Sequence, residues 1–179
     1  MQSQNIVAVE IRAWSEEDID MLGRIFSDPG MMEFLGQVET PEQIRQRHQR
    51  YLTGGNGMLH MFAILAGPER MGAGLVGYWE HESHGDLMYE TGWCVLPEFQ
   101  GQGIATRAAA LAAELARQEH KFRYLHAYAA VANEPSNAVC RKAGFALQGQ
   151  VDINESPPAP PMRYNDWMID LGETKTSEL

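Results

Sequence analysis

Hydrophobic and polar residues alternate along residues 7–12, where Val7, Val9 and Ile11 share one side of an extended chain, and this predicts a short first strand. The period then lengthens. Ser15 is a good helix cap, Asp18 stands at the third helical position, and Trp14 and Ile19 have the spacing of a hydrophobic staple. Ile19, Leu22 and Phe26 form the expected buried stripe of this helix, with Asp28-Pro29-Gly30 as its stop. A second helix is expected from Thr40-Pro41, a cap followed by proline at the first helical position. Ile44, His48 and Tyr51 would face inward, His48 as a packing residue, with Arg45, Arg47 and Arg50 in solvent until Gly54-Gly55-Asn56-Gly57 turns the chain.

Three strands are predicted next, over residues 59–66, 75–82 and 87–96, punctuated by Gly67-Pro68 and Ser83-His84-Gly85-Asp86. Helical spacing returns over residues 104–118, with Ile104, Ala108, Leu111 and Leu115 on one stripe. Residues 124–131 read as a strand, residues 135–142 as a short helix stopped by Gly144, and residues 145–151 and 163–171 as the last strands. The stiff loop Pro157-Pro158-Ala159-Pro160-Pro161 lies between these two and is either a wall of a binding site or a plain crossover. This order implies a mixed α/β sheet with helices on both faces. No repeat or linker divides residues 1–179, so one domain is expected.

Composition narrows the chemistry. At 44% hydrophobic and 21% charged residues the chain has an ordinary globular composition, without an apolar run approaching the roughly 20 residues that span a bilayer. Residues 1–10 lack the basic and apolar regions of a signal peptide, so no membrane association and a cytoplasmic location are expected. Cys94 and Cys140 fit neither a metal-ligand spacing nor a disulfide framework and are expected as reduced thiols. A net charge of −10 without a Lys/Arg cluster disfavours nucleic acid as a partner. The same charge could draw in a cationic amine or merely keep the chain soluble. His81-Glu82-Ser83-His84 looks like a zinc-protease motif, but its second histidine comes one position early and the segment reads as strand and turn, so no metal is expected. The ten methionines, Met31-Met32 and Met58 with Met61 among them, either line a malleable substrate cleft or fill the core, and Trp79 and Trp93 read as packing residues.

The most informative segment is Gln100-Gly101-Gln102-Gly103-Ile104-Ala105-Thr106, between a strand and a helix. Alternate glycines let backbone N–H groups approach a ligand, and the following helix adds unpaired amides and the positive end of its dipole, which makes a phosphate-binding turn. A dinucleotide fingerprint would need glycine where Thr106 stands, and a P-loop would need Gly-Lys-Ser/Thr.

Gln100-x-x-Gly103-x-Ala105 resembles the pyrophosphate motif of the GCN5-related N-acetyltransferases, and Cys94-Val95-Leu96-Pro97-Glu98 precedes it as in that family. About thirty residues on, the segment from Asn133-Glu134-Pro135-Ser136 to Lys142-Ala143-Gly144-Phe145 is similar to the family's second motif. The opening Ile11-Arg12-Ala13-Trp14 and residues 164–171 are similar to the branch containing the ribosomal-protein N-terminal acetyltransferases. The resemblance implies a mixed, mostly antiparallel sheet of about seven strands, splayed between strands four and five by a bulge. Acetyl-coenzyme A would be the cosubstrate, transferring its acetyl group to a primary amine by direct attack in a ternary complex. The amine would be a protein N-terminus or a small molecule, and the enzyme a monomer or homodimer.

On the same resemblance, backbone groups of Cys94, Val95 and Leu96 would bond the pantetheine arm, with the Val95 N–H polarising the thioester carbonyl. Amides of Gln100, Gly101, Gln102, Gly103, Ile104, Ala105 and Thr106 would hold the pyrophosphate, and Asn133 and Ser136 would contact the pantetheine side. Glu90 is the candidate proton acceptor and His126 the second candidate. Cys140 stands where many members carry a tyrosine that protonates the leaving thiolate; it is either a substitute acid or a small packing residue. The alternatives are a non-catalytic acyl-coenzyme A sensor and, from a different class, a nucleotide-binding oxidoreductase, against which Thr106 argues.

Overall fold

A computed structural model describes residues 7–83, 85–153 and 162–172. Its seven strands are β1 (Val9–Ala13), β2 (Leu59–Ala66), β3 (Met71–Ser83), β4 (Asp86–Val95), β5 (Tyr124–Ala130), β6 (Ala146–Ile153) and β7 (Met162–Asp170). They form one sheet in the order β1-β2-β3-β4-β5-β7-β6. Every neighbouring pair is antiparallel except β4 and β5, which run parallel. The helices are α1 (Ile19–Phe26), α2 (Pro29–Met32), α3 (Pro41–Thr53), α4 (Ile104–Gln118) and α5 (Glu134–Ala143). Among the described residues no helix is long and apolar enough to cross a membrane, and no group of three or more His, Cys, Asp or Glu could hold a metal ion. His84 and the Pro157–Pro161 loop lie outside the described residues.

Strand periodicity sends alternate side chains to two cores. On one face, α4 and α5 cover Val76, Tyr78, Tyr89, Leu125, Ala127 and Trp167. On the other, α1 and α3 cover Met61, Ala63, Leu75, Cys94 and Leu96. The α4 stripe departs from the expected one. Ile104 and Ala108 are buried, but the remaining buried positions are Ala109, Ala112, Ala113 and Ala116, while Leu111 is exposed. Small side chains let the helix lie close on the sheet; the apolar periodicity alone favoured the larger leucines.

The first helix also differs. Residues 16–18 form a single 3₁₀ turn before α1, held by Asp18 Oδ2, which accepts from the Ser15 N–H at 2.8 Å and the Ser15 hydroxyl at 3.0 Å. Leu22, Ile25 and Phe26 are the buried residues of α1, with Ile19 half-buried. Trp14 turns away toward α3, donating its Nε1–H to His48 Nδ1 at 3.1 Å, so His48 packs as expected. Asp28-Pro29-Gly30 does end α1, but it also starts α2: Asp28 Oδ1 accepts from the Gly30 and Met31 N–H groups at 2.7 and 3.1 Å, with Pro29 at the first helical position. Arg47 is not solvated. Its Nε donates to both Glu39 oxygens at 3.0 and 3.1 Å, and its guanidinium lies 4.2 Å from the Phe26 ring centroid, fastening the connection between α2 and α3.

Candidate functional site

β4 and β5 part company early. Their register holds only Tyr89 opposite Leu125 and Glu90 opposite His126, whereas β4 stays paired with β3 along its whole length. Residues 91–95 therefore border an opening roughly 13 Å long at 3.3 Å per residue. The Leu96 N–H donates to Ala73 O at 2.9 Å, which fixes the alternation of the β3–β4 ladder. Leu96 gives its N–H to β3 and its carbonyl to the Phe99 N–H, Cys94 spends its peptide groups on β3, and the peptide groups of Trp93 and Val95 point toward the opening. The Val95 carbonyl accepts from Gln100 Nε2 at 2.9 Å, leaving its N–H as the donor on that side.

The irregularity beside the opening belongs to β3, not to β4. Ala73 is the extra residue between the pairs Ile64–Gly74 and Leu65–Gly72, whereas the β3–β4 register runs without interruption. Gly74 sits at this bulge, where a Cβ would come within 2.0 Å of Cys94 O. Only glycine lets the two backbones approach this closely, so β3 fixes the position of the Cys94–Val95 peptide.

At the wide end of the opening the chain makes its glycine turn. Gly101 and Gly103 have φ of 74° and 75°, which glycine adopts without strain, and a Cβ on either would meet nothing within 4 Å. Gly103 caps α4 with no side-chain hydrogen bond, so the amides of the first turn are left to face outward. A cavity of about 600 Å³ runs from this turn along the opening. Of the sequence-derived binding residues, Cys94, Val95, Gln100, Gly101, Gly103, Ile104, Ala105, Thr106, Asn133 and Ser136 line it. Leu96 and Gln102 do not: Leu96 is buried beneath α1 and α3, and Gln102 turns its amide to Glu98 O at 3.2 Å.

Of the apolar half of this lining, the sequence reading raised only the methionines. Trp93, set aside as a packing residue, borders the cavity and also tilts against Phe145 with centroids 6.4 Å apart. Met31, Phe34 and Leu35 close the far side from the connection after α1, and Lys142 adds a positive charge at the end of α5. Asn133 caps α5 by accepting from the Ser136 N–H at 3.2 Å. Asn137, one turn on, is fully enclosed: its Nδ2 donates to Ala130 O and Asn133 O, and its Oδ1 accepts from Asn165 Nδ2 and Trp167 Nε1.

The candidate acid–base residues fall in different places. Glu90 is at the closed end of the opening, with His81 Nδ1 3.2 Å from its Oε2. His126 faces it across the last pair, and its Nδ1 lies 2.7 Å from Asp166 Oδ1 on β7. Cys140 is wholly buried between α5 and the sheet, is not part of the cavity lining, and burial pushes its thiol up to about 12. Burial does the same to Cys94. Both thiols are free of disulfides.

Residues 8–146 match the family model for the acetyltransferase (GNAT) domain. Solved structures agree in fold. A GNAT-family acetyltransferase from Bacillus anthracis is 22% identical, with 92% of this chain and 96% of that one covered at a TM-score of 0.76. Spermidine N-acetyltransferase from Vibrio cholerae, in complex with coenzyme A and spermine, is 15% identical, with 91% and 95% covered at 0.76. An acetyltransferase from Salmonella typhimurium that modifies the N-terminal serine of a 50S ribosomal subunit protein is 22% identical, with 90% and 94% covered at 0.71. No curated sequence matches the chain. The family match extends over both the glycine turn and the α5 segment, so the parted strands belong to a member of the GNAT acetyltransferase family.

Proposed function

We propose that this acetyltransferase moves the acetyl group of acetyl-coenzyme A onto a primary amine by direct attack, with both substrates bound together. The observation that carries this reading is the opening between β4 and β5, bordered by the Trp93 and Val95 peptide groups and continuous with the uncapped turn at residues 100–106. An extended pantetheine arm would lie along Trp93 and Val95 as a missing strand. Amides of Gly101, Gly103 and the first turn of α4 would hold the pyrophosphate. Asn133 and Ser136 would border the arm from the α5 side. The Val95 N–H, fixed by β3 behind it and by Gln100 on its carbonyl, would polarise the thioester as negative charge develops on its oxygen.

The acceptor side lies beyond the closed end, where Glu90 gives an incoming ammonium a negative partner. The structural neighbours include acetyltransferases named for a ribosomal-protein N-terminus and for spermidine, so a protein N-terminus and a small polyamine are the first acceptors to test. Cys140 serves packing in this reading. A thiol near 12 would have to give its proton uphill to a coenzyme A thiolate whose own range resembles the ordinary thiol value of about 8.5. The thiolate leaves unassisted.

Incubating the chain with acetyl-coenzyme A and peptides, polyamines or an aminoglycoside, while measuring free thiol and the mass of each amine, tests the proposal. Thiol release matched by a 42-dalton gain on one amine is expected, that gain being the mass of an acetyl group replacing hydrogen. Gly103→Glu fills the space at the turn and sets a carboxylate against the pyrophosphate, so calorimetry should show no binding. Wild-type affinity in that variant would put the cosubstrate elsewhere. Tight binding with no thiol release for any amine would instead leave an acyl-coenzyme A sensor.

A further inference from the structure

On the α1–α3 face of the sheet, beyond the part those helices cover, polar side chains converge around the point where β4 and β5 separate. Register places Glu90 and His81 there from β4 and β3, His126 and Tyr128 from β5, and Asp166 from β7. The Tyr128 ring sits between the two histidines, 6.0 Å from His81 and 6.1 Å from His126 between centroids. We propose that His126, oriented by Asp166, takes the proton from the incoming ammonium, and that Asp166 is its positioning residue. The inference rests on the acetyltransfer reading above.

A carboxylate can only accept, so the 2.7 Å contact with Asp166 Oδ1 places a proton on His126 Nδ1, and in the neutral ring the lone pair is then the one on Nε2. Among the described residues the only fully buried side-chain nitrogen or oxygen without a partner is His48 Nε2, so His126 Nε2 keeps access to solvent although the ring is only 9% exposed. A neutral imidazole with one nitrogen held and the other open is the form a general base takes. Glu90, the other candidate, has its Oε2 engaged by His81, and a carboxylate is a much weaker base toward an ammonium.

His126 Nε2 accepts a proton from the ammonium, and Asp166 stabilises the imidazolium. The neutral amine forms the C–N bond to the thioester carbon, and the C–S bond breaks. The C–S electron pair leaves on sulfur as the thiolate, and the amide nitrogen's second proton and the imidazolium proton both pass to water. Glu90 and Asp166 supply the negative charge that favours both ammonium and imidazolium, and Tyr128 and His81 are further titratable groups beside them among the described residues.

His126→Ala should lower kcat/KM for the amine by about a hundredfold or more, leave acetyl-coenzyme A affinity within about twofold by calorimetry, and regain turnover when free imidazole is added. Asp166→Asn should displace the acid limb of the kcat/KM profile, and Asp166→Glu should restore part of it. Nitrogen-15 spectra of the unliganded wild-type chain should show His126 as the Nδ1-protonated tautomer and lose that signature in Asp166→Asn. An intact acid limb and near-wild-type turnover in His126→Ala would overturn the proposal, as would an Nε2-protonated tautomer. Should the wild-type chain acetylate no amine, the acetyltransfer reading fails, and the tautomer still decides whether the dyad exists.

Discussion

Two side chains on α5, one turn apart, show how burial and hydrogen bonding set different consequences for similar truncations. Asn137 fills all its bonding capacity by joining α5 to the end of β5 and to Asn165 and Trp167 on β7. Asn137→Ala strands the buried Trp167 N–H, at about 1–3 kcal/mol, and takes from Ala130 O and Asn133 O the second of their two donors, the backbone N–H groups of Asn133 and Asn137 remaining. The expected loss is at least about 2 kcal/mol, or several degrees in Tm for a chain of this size. Because α5 also carries Asn133, Ser136 and Lys142 into the cavity lining, acetyl-coenzyme A affinity should fall with it. Cys140 makes the opposite case. It contributes volume to the core, so Cys140→Ala should cost about 1 kcal/mol and leave turnover unchanged. A hundredfold loss of turnover with the melting transition preserved would return the thiol to the chemistry.

At the scale of elements, α4 makes the sharpest test, because its sheet-facing side is built from alanines. Ala112 is fully buried in the core shared with Tyr78, Tyr89 and Leu125, and enlarging it must push the helix off the sheet. Ala112→Leu should cost about 1–3 kcal/mol or more, whereas Leu111→Ala on the exposed side should stay within about 0.5 kcal/mol, both measured by denaturant unfolding. The reverse ranking would mean that the helix is rotated on its axis. The sequence made α4 legible because helical period and cap are local properties; which stripe faces the sheet depends on how close two elements come, and an alanine pattern carries little hydrophobic contrast. The same division holds at the site. Gly101 and Gly103 announce a turn from residue type alone, and Asn133 announces a cap. The pairing of His126 with Asp166 joins residues 40 apart in sequence, and it exists only because β7 inserts between β5 and β6. The inward turn of the Val95 peptide follows from strand parity, which the hydrophobic pattern of a strand buried on both faces does not fix.

Over the whole molecule, charge and binding pull in opposite directions. The chain carries −10, while coenzyme A is itself a polyanion, so the general field opposes association and the site must supply its own attraction. It does so with oriented backbone amides at the start of α4 and with Lys142, groups that act at contact distance and are little affected by salt beyond the Debye length of about 8 Å at physiological ionic strength. A ligand gripped this way by β4, the glycine turn and α5 joins segments from both sides of the strand opening, and it can do so only in the folded chain. At a free concentration a hundred times Kd, acetyl-coenzyme A should therefore add about 2.7 kcal/mol of stability and raise Tm by roughly 5–10 °C. The shift should persist in His126→Ala, which alters only the proton path, and vanish in Gly103→Glu. A nicotinamide dinucleotide, which also offers a pyrophosphate but no thiol-bearing arm to replace the missing strand, should produce little or none. Equal stabilisation by the dinucleotide would mean that the turn alone holds the ligand and that the parted strands contribute nothing to recognition.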